Sequence, residues 1–177
     1  MFTDLDVKLT RPVEIDLLLP KIGTALREIL CLRTSPDIKA EWYDYNDEVF
    51  LPQNFRIIDQ SSGRAIFEID DEPENVFVEP FHVEHPMLSS EEQGDFLSVS
   101  SCSRRTPLEH ALLAAVAAAL SAHLDTPVID DMSFFIEASS DLPADEFVNT
   151  IRMSGHFNDY RKAATYFYGS LPRKKSR

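Results

Sequence analysis

One stretch, residues 95–131, constrains the fold of this 177-residue chain more than any other. Thr106, Pro107 and Glu109 match the N-cap, N1 and N3 positions of a helix, which is a capping box with proline at its favoured position. Alanine, the best helix former, fills most of the positions that follow. The stretch therefore predicts a strand, a capped helix and a second strand. One apolar helix face is traced at every fourth residue by Leu108, Leu112, Val116, Leu120 and Leu124.

The remainder of the chain favours an α+β fold in which two or three helices pack on an antiparallel β-sheet meander. From residue 37 to 84 the apolar period changes to two, with polar turns between the segments. Ser61, Ser62 and Gly63 predict a hairpin turn between the strand segments 55–60 and 64–70. Residues 132–138 are read as a strand or an irregular segment. Further helices are expected near 21–30 and over 147–167, where Gly155 is a candidate break.

Two features near the N-terminus leave alternatives open. Pro20 lies inside a helical pattern, where a proline costs about 3 kcal/mol. Either the helix is kinked, or residues 13–19 are extended and the helix begins at Pro20. A four-position match at an offset of 95 residues suggests two βα units in a split βαβ, ferredoxin-like arrangement around a central hairpin, although helix-start chemistry explains the match equally well. The matched residues are Pro12, Glu14, Leu17 and Leu18 with Pro107, Glu109, Leu112 and Leu113.

Length and composition indicate one domain, residues 1–171, followed by a basic tail, residues 172–177. A chain of this size can bury a stable core without disulfides or metals. Its two cysteines, Cys31 and Cys102, suggest a reducing compartment, and the N-terminus lacks the pattern of a signal peptide. The longest apolar run, residues 111–120, is too short to span a bilayer. We therefore expect a cytoplasmic protein.

The net charge of −13 restricts the partners that this chain can bind. An acidic surface repels nucleic acid phosphates and anionic membranes, so neither is expected as a partner, and it attracts basic proteins. Acidity that only maintains solubility is the competing interpretation. If the charge marks a docking surface, we expect it where acidic residues lie beside aromatic ones or crowd a strand end. These candidate partner-binding residues are Tyr43, Asp44, Tyr45, Asp47, Glu48, Glu68, Asp70, Asp71, Glu72 and Glu74.

The densest group of candidate metal ligands is His82, Glu84 and His85. On a strand His82 and Glu84 would point to the same side, with His85 at the strand end. A small metal-binding protein or enzyme is therefore an alternative, but a polar strand face explains the same residues, and no cofactor is expected. Cys102 precedes a helix N-terminus without a visible base or oxyanion site, and the sequence holds no phosphate-binding glycine loop. We expect no catalytic residues and no enzymatic activity.

Residues 96–131 resemble the immunity proteins of bacterial toxin competition systems. The resemblance lies in a strand, the run Arg104-x-Thr106-Pro107-Leu108-Glu109, an alanine- and leucine-rich helix, and the closing run Pro127-Val-Ile-Asp-Asp131. It implies a small, acidic, cytosolic α+β protein that binds and blocks a cognate toxin, often a basic nuclease. The matched segment reads as scaffold, so the resemblance assigns no binding residue. A structural homo-oligomeric subunit remains a further alternative, and a homodimer is compatible with either interpretation.

Overall fold

The computed structural model describes residues 4–43, 56–59, 64–84, 87, 89, 92–101, 106–131, 133–136 and 141–172. Its architecture confirms the α+β fold, with four helices in the described residues where two or three were expected. The strands are β1 (Asp4–Lys8), β2 (Val13–Glu14), β3 (Ile38–Tyr43), β4 (Ile57–Ile58), β5 (Arg64–Ile69), β6 (Asn75–Val83), β7 (Gly94–Ser101), β8 (Val128–Ile129) and β9 (Asp141–Leu142). The helices are α1 (Ile15–Ile29), α2 (Pro107–Leu124), α3 (Ala144–Ile151) and α4 (Tyr160–Ser170).

Seven strands form one antiparallel sheet in the order β3-β5-β6-β7-β1-β8-β9. Because β1 pairs with both β7 and β8, α2 connects two strands that lie on either side of β1, which is a split βαβ unit. The expected central hairpin is a four-stranded meander, β3, β5, β6 and β7. The predicted antiparallel meander and the predicted strand–helix–strand crossover are therefore both present.

The predicted hairpin around residues 61–63 is wrong in its pairing, and the turn itself lies outside the described residues. Ile57 and Ile58 pair with Val13 and Glu14 in a separate two-stranded sheet, while β5 pairs with β3 and β6. The Ile15 amide also donates a hydrogen bond to the Arg56 carbonyl over 2.9 Å. Residues 56–58 therefore pair with the chain at the start of α1 and not with β5, the strand that follows them in sequence.

Helix α1 begins at Ile15 and runs through Pro20, so neither a late start at Pro20 nor a long extended segment is observed. Val13 and Glu14 form a two-residue strand in front of it. Pro20 lies on the exposed side of the helix. The opposite side is fully buried at Ile15, Leu18 and Ile22. Burial of that apolar side offsets the hydrogen bond that the proline cannot donate.

The capping box of α2 is present as the sequence predicts. The Glu109 amide donates to the Thr106 hydroxyl over 3.2 Å, and the Thr106 amide donates to the Glu109 carboxylate over 3.3 Å. The expectation of a single apolar face was too narrow, because fifteen of the eighteen residues are buried. Helix α2 contacts five strands of the sheet and also α1, α3 and α4. Alanine on every side permits this close packing.

Within the described residues, only α2 is long and apolar enough to cross a membrane, and 83% of that span is buried inside the protein. Its apolar surface is therefore already covered by packing. Apart from Phe96, the buried apolar side chains of the sheet and of all four helices form one contiguous cluster. Of the basic tail, the structure describes only Pro172.

The chain after α2 is organised by one buried carboxylate. Asp130 is 1% exposed and accepts hydrogen bonds from the amides of Phe134, Phe135 and Ile136 over 3.0, 2.8 and 3.1 Å. This arrangement makes residues 133–136 irregular, which was one of the two alternatives for that segment. The apolar run over 147–167 is two helices, because the chain leaves helical geometry between residues 152 and 159, with Gly155 at φ +118°.

Candidate partner-binding surface

The described residues predicted to bind a partner lie at opposite ends of the β3–β5 pair, because Tyr43 is opposite Arg64 whereas the Asp70 amide donates to the Asp37 carbonyl. Tyr43 is the last residue of β3, and Asp44, Tyr45, Asp47 and Glu48 lie outside the described residues. Glu68 is in β5. The others, Asp70, Asp71, Glu72 and Glu74, form the turn between β5 and β6.

Most of this turn is engaged inside the molecule. Asp70 forms an ion pair with Lys39, and this hydrogen bond and charge raise the pKa of the Lys39 ammonium. Glu72, with a side chain only 5% exposed, accepts hydrogen bonds from the Tyr160 hydroxyl and from Arg161, whose Nε lies 3.0 Å away. These contacts connect Asp70 to β3 and Glu72 to α4, so both carboxylates already have a partner inside the molecule.

The two remaining turn carboxylates differ in exposure. Glu74 is buried, and its Oε2 has no hydrogen-bond partner among the described residues. Asp71 is exposed, with a left-handed backbone at φ +64°. Of the five predicted residues between 68 and 74, only Asp71 and the half-buried Glu68 therefore present a carboxylate to solvent without an ion pair to a described residue. The turn works mainly as a structural connection in this fold.

The alternative metal ligands come together only in part. His82 Nδ1 lies 2.7 Å from Asp95 Oδ1 on the neighbouring strand, and its Nε2 lies 4.0 Å from Glu84 Oε2. His85 lies outside the described residues. Among the side chains that the structure describes, no group of three or more histidine, cysteine or acidic residues could hold a metal ion. The observed arrangement is a histidine–carboxylate contact across β6 and β7, in which the His82 ring is exposed.

The two histidines of α2, His110 and His123, contact side chains of other elements. His110 is buried between the rings of Phe134 and Tyr168, at centroid distances of 4.9 and 4.8 Å, and its Nδ1 lies 2.8 Å from the Thr106 carbonyl oxygen. His123 Nδ1 lies 3.2 Å from Lys21 Nζ. Burial, followed by the charges of Lys21 and Arg11, lowers the pKa of the His123 imidazole. Cys102 lies outside the described residues.

The surface that sequence reasoning missed is the side of the large sheet that faces away from the helices, called here the open face. Buried Val76 and Val78 of β6 point toward α2, so the alternate residues Phe77, Glu79 and Phe81 point the other way. Strand register extends this face across four strands. Its central residues are Ile66, Glu68, Phe77, Glu79, Phe81, Phe96, Ser98, Ser100, Asp6 and Lys8.

Three phenylalanines give the open face an apolar centre. Phe81 stacks on Phe96 at a centroid distance of 5.6 Å and is itself 37% exposed. Lys8 Nζ lies 5.8 Å from the centre of the Phe96 ring, and the Arg64 guanidinium lies 4.6 Å from that of Phe77. A solvated sheet face normally carries polar side chains. An exposed aromatic here is therefore a feature that requires an explanation.

Carboxylates surround these rings. Glu79 forms an ion pair with Arg64, and Asp6, Ser98 and Glu79 lie in one row across β1, β7 and β6. Beside Phe81 this row borders a depression of about 230 Å³. Among the described side chains at outward positions, carboxylates outnumber cations: Asp6, Glu41, Glu68, Glu79 and Asp141 against Lys8, Lys39 and Arg64.

A second concavity, of about 810 Å³, lies between α1, the C-terminal half of α2 and α3. Small side chains form much of its lining, including Ala25, Ala118, Ala122 and Val148. Glu28, Asp125 and Asp145 occupy its edge together with Lys21. Because this groove is lined mainly by small side chains and by charges of both signs, it indicates no particular class of ligand.

The period-two pattern of β6 contained the signal for the open face, since it places Phe77, Glu79 and Phe81 on one side of a strand. The order of the strands, which brings Asp6 and Ser98 beside them, could not be read from the pattern. Searches against protein-family models, curated proteins and solved structures find no match for this chain.

Proposed function

We propose that this chain is a cytoplasmic, non-enzymatic binding protein that neutralises a basic protein partner, as the immunity proteins of bacterial toxin systems do. The observation that carries the proposal is the open face, on which exposed Phe81 lies among carboxylates. Protein interfaces are enriched in aromatic side chains at their centre and carry polar groups at their rim. The partner in this proposal is a basic toxin whose active site is occluded.

The charge of the whole chain supports the same partner chemistry. A net charge of −13 attracts a cationic protein over distances of about a Debye length and accelerates association, an effect that weakens as salt is added. The carboxylates of the open face would then set the register of the docked complex. Residues 44–48, which lie outside the described part of the chain, remain predicted contributors.

In this proposal the partner binds mainly to the open face, and not to the turn at residues 70–74. Asp70 and Glu72 already pair with Lys39 and Arg161, so a partner would have to break those contacts to use them. Glu79 also has an internal partner, Arg64, and this pair is no more exposed than Asp70–Lys39. Surface pairs of this kind contribute little to stability. The open face is preferred because the exposed Phe81 ring lies beside Glu79.

The direct test uses the protein encoded by the neighbouring gene as the probe. Growth is measured when that protein is expressed alone and together with this chain, and the affinity of the purified pair is measured by calorimetry at increasing salt. We expect rescue of growth and an affinity that falls with salt. A non-toxic neighbour that forms no complex at low salt would overturn the proposal, as would a stable homo-oligomer that buries the open face.

Two charge-reversal variants with the same net charge separate a docking surface from general acidity. Asp6→Lys with Glu79→Lys changes the open face, whereas Asp145→Lys with Glu146→Lys changes exposed positions on α3. The proposal expects at least a tenfold loss of affinity from the first pair and much less from the second. Equal losses would mean that charge acts without a defined surface.

A further inference from the structure

The depression beside Phe81 has the size of one side chain. It is lined by Asp6, Glu79, Pro80, Phe81 and Ser98, and we call it the Phe81 depression. Its volume of about 230 Å³ is smaller than the roughly 300–1,000 Å³ of sites that enclose a drug-sized ligand. Any occupant is therefore a small group, or one side chain of a larger partner.

On the open face, two cationic side chains of the protein each lie over a phenylalanine ring. Arg64 lies over the Phe77 ring while pairing with Glu79, and Lys8 lies over the Phe96 ring. In each case the charged group is attracted to the ring face, and the alkyl stem of the side chain can lie along apolar surface. Phe81 is the third ring of this group and the most exposed one, and carboxylates line the depression beside it.

From this arrangement we infer that the Phe81 depression is a subsite for an arginine side chain of the basic partner; the inference rests on the proposed function. The guanidinium would lie along the Phe81 ring and donate hydrogen bonds to the Asp6 and Glu79 carboxylates. Ser98 separates these two residues, which lie two strands apart, so roughly 10 Å separates their backbones.

Arginine fits this geometry better than lysine. A guanidinium is planar, stacks on an aromatic ring and carries five donors, so it can address two carboxylates at once. An ammonium group is a compact point charge that keeps its water more strongly. The subsite therefore predicts a preference for arginine at equal charge.

The test uses small probes and does not need the partner. N-acetyl-L-arginine amide and N-acetyl-L-lysine amide are titrated separately into the ¹⁵N-labelled full-length protein at constant ionic strength, and amide chemical shifts are followed by NMR. We expect saturable shifts centred on residues 6, 79–81 and 98, with affinity for the arginine probe several-fold higher. Equal affinity for the two probes, or shifts spread over all acidic segments, would overturn the inference.

Two variants check the location. Ser98→Leu fills the depression and leaves every charge in place, so we expect at least a tenfold loss of arginine affinity. Glu68→Gln removes a carboxylate from the same face outside the depression and should leave the affinity within about twofold. An unchanged spectrum outside the substituted region shows that each variant is folded. Unaltered binding by a folded Ser98→Leu would overturn the inference.

The same variant distinguishes failure of the subsite from failure of the proposed function. If the neighbouring gene's product binds Ser98→Leu as tightly as the unmodified protein, the subsite is wrong and the proposed function stands. If the arginine probe binds as expected and no protein partner is neutralised, the subsite stands and the proposed function is wrong.

Discussion

The two faces of the seven-stranded sheet differ in what their side chains do. On the helix-covered face, Phe67, Val78 and Val99 are fully buried against α2 and contribute to one apolar cluster. On the open face, one residue further along the same strands, Glu68, Glu79 and Ser100 remain partly exposed. Phe96 is buried but does not belong to that cluster. The comparison shows that one face contributes to the core, while side chains on the other remain accessible to solvent.

The largest expected effect is on the helix-covered face. Phe67→Ala removes a fully buried ring and should lower the free energy of unfolding by about 3–5 kcal/mol, because a cavity remains in the core. Its neighbour provides the control, since Ile66→Ala on the open face should change stability by about 1 kcal/mol or less. Urea unfolding followed by circular dichroism measures both. Equal losses would contradict the difference between the faces.

The next effect concerns the buried carboxylate after α2. Asp130→Ala leaves the amides of Phe134, Phe135 and Ile136 without their acceptor and should destabilise the protein by about 2–4 kcal/mol. Asp131→Ala, at the exposed neighbouring position, should have almost no effect. Thermal unfolding of the two variants provides the comparison. A stable Asp130→Ala protein would show that the segment is held by its apolar side chains alone.

A smaller effect is expected at the start of α2. Thr106→Ala removes one half of the capping box and should lower stability by about 1 kcal/mol. Thr24→Ala, an exposed mid-helix substitution in α1, should be neutral or slightly stabilising, because alanine has the higher helix propensity. Chemical denaturation measures both changes. A neutral Thr106→Ala would mean that packing alone fixes this helix end.

The smallest expected effect is the pH dependence from His123. Burial lowers the pKa of this imidazole below its unfolded value, so the unfolded state binds more protons between the two pKa values. Its contribution to stability is complete above the unfolded pKa and is lost as the pH falls toward the folded pKa. The stability of the unmodified protein relative to His123→Gln should therefore decrease from pH 7.5 to 5. An increase over that range would contradict the assignment.

Local sequence signals predicted the parts of the fold that local chemistry decides. The capping box at Thr106 and the period-two segments around residues 64–69 and 75–83 are confirmed, because each depends on residues close in sequence. The pairing of Ile57–Ile58 with Val13–Glu14 could not be predicted, since it depends on where α1 packs. The internal contacts of the acidic turn at 70–74 could not be predicted for the same reason: Lys39, Tyr160 and Arg161 approach it from distant parts of the chain.

The most direct test of the difference between the two faces is the rate of thiol alkylation at adjacent positions of β7. Cys31 and Cys102 are first replaced by serine, and Ser98→Cys and Val99→Cys are then introduced separately and treated with iodoacetamide under native conditions. Ser98 is on the open face and Val99 is fully buried against the helices. We expect Ser98→Cys to react in the folded protein, and Val99→Cys to react only at the rate of unfolding. Equal protection of both thiols would contradict an open sheet face.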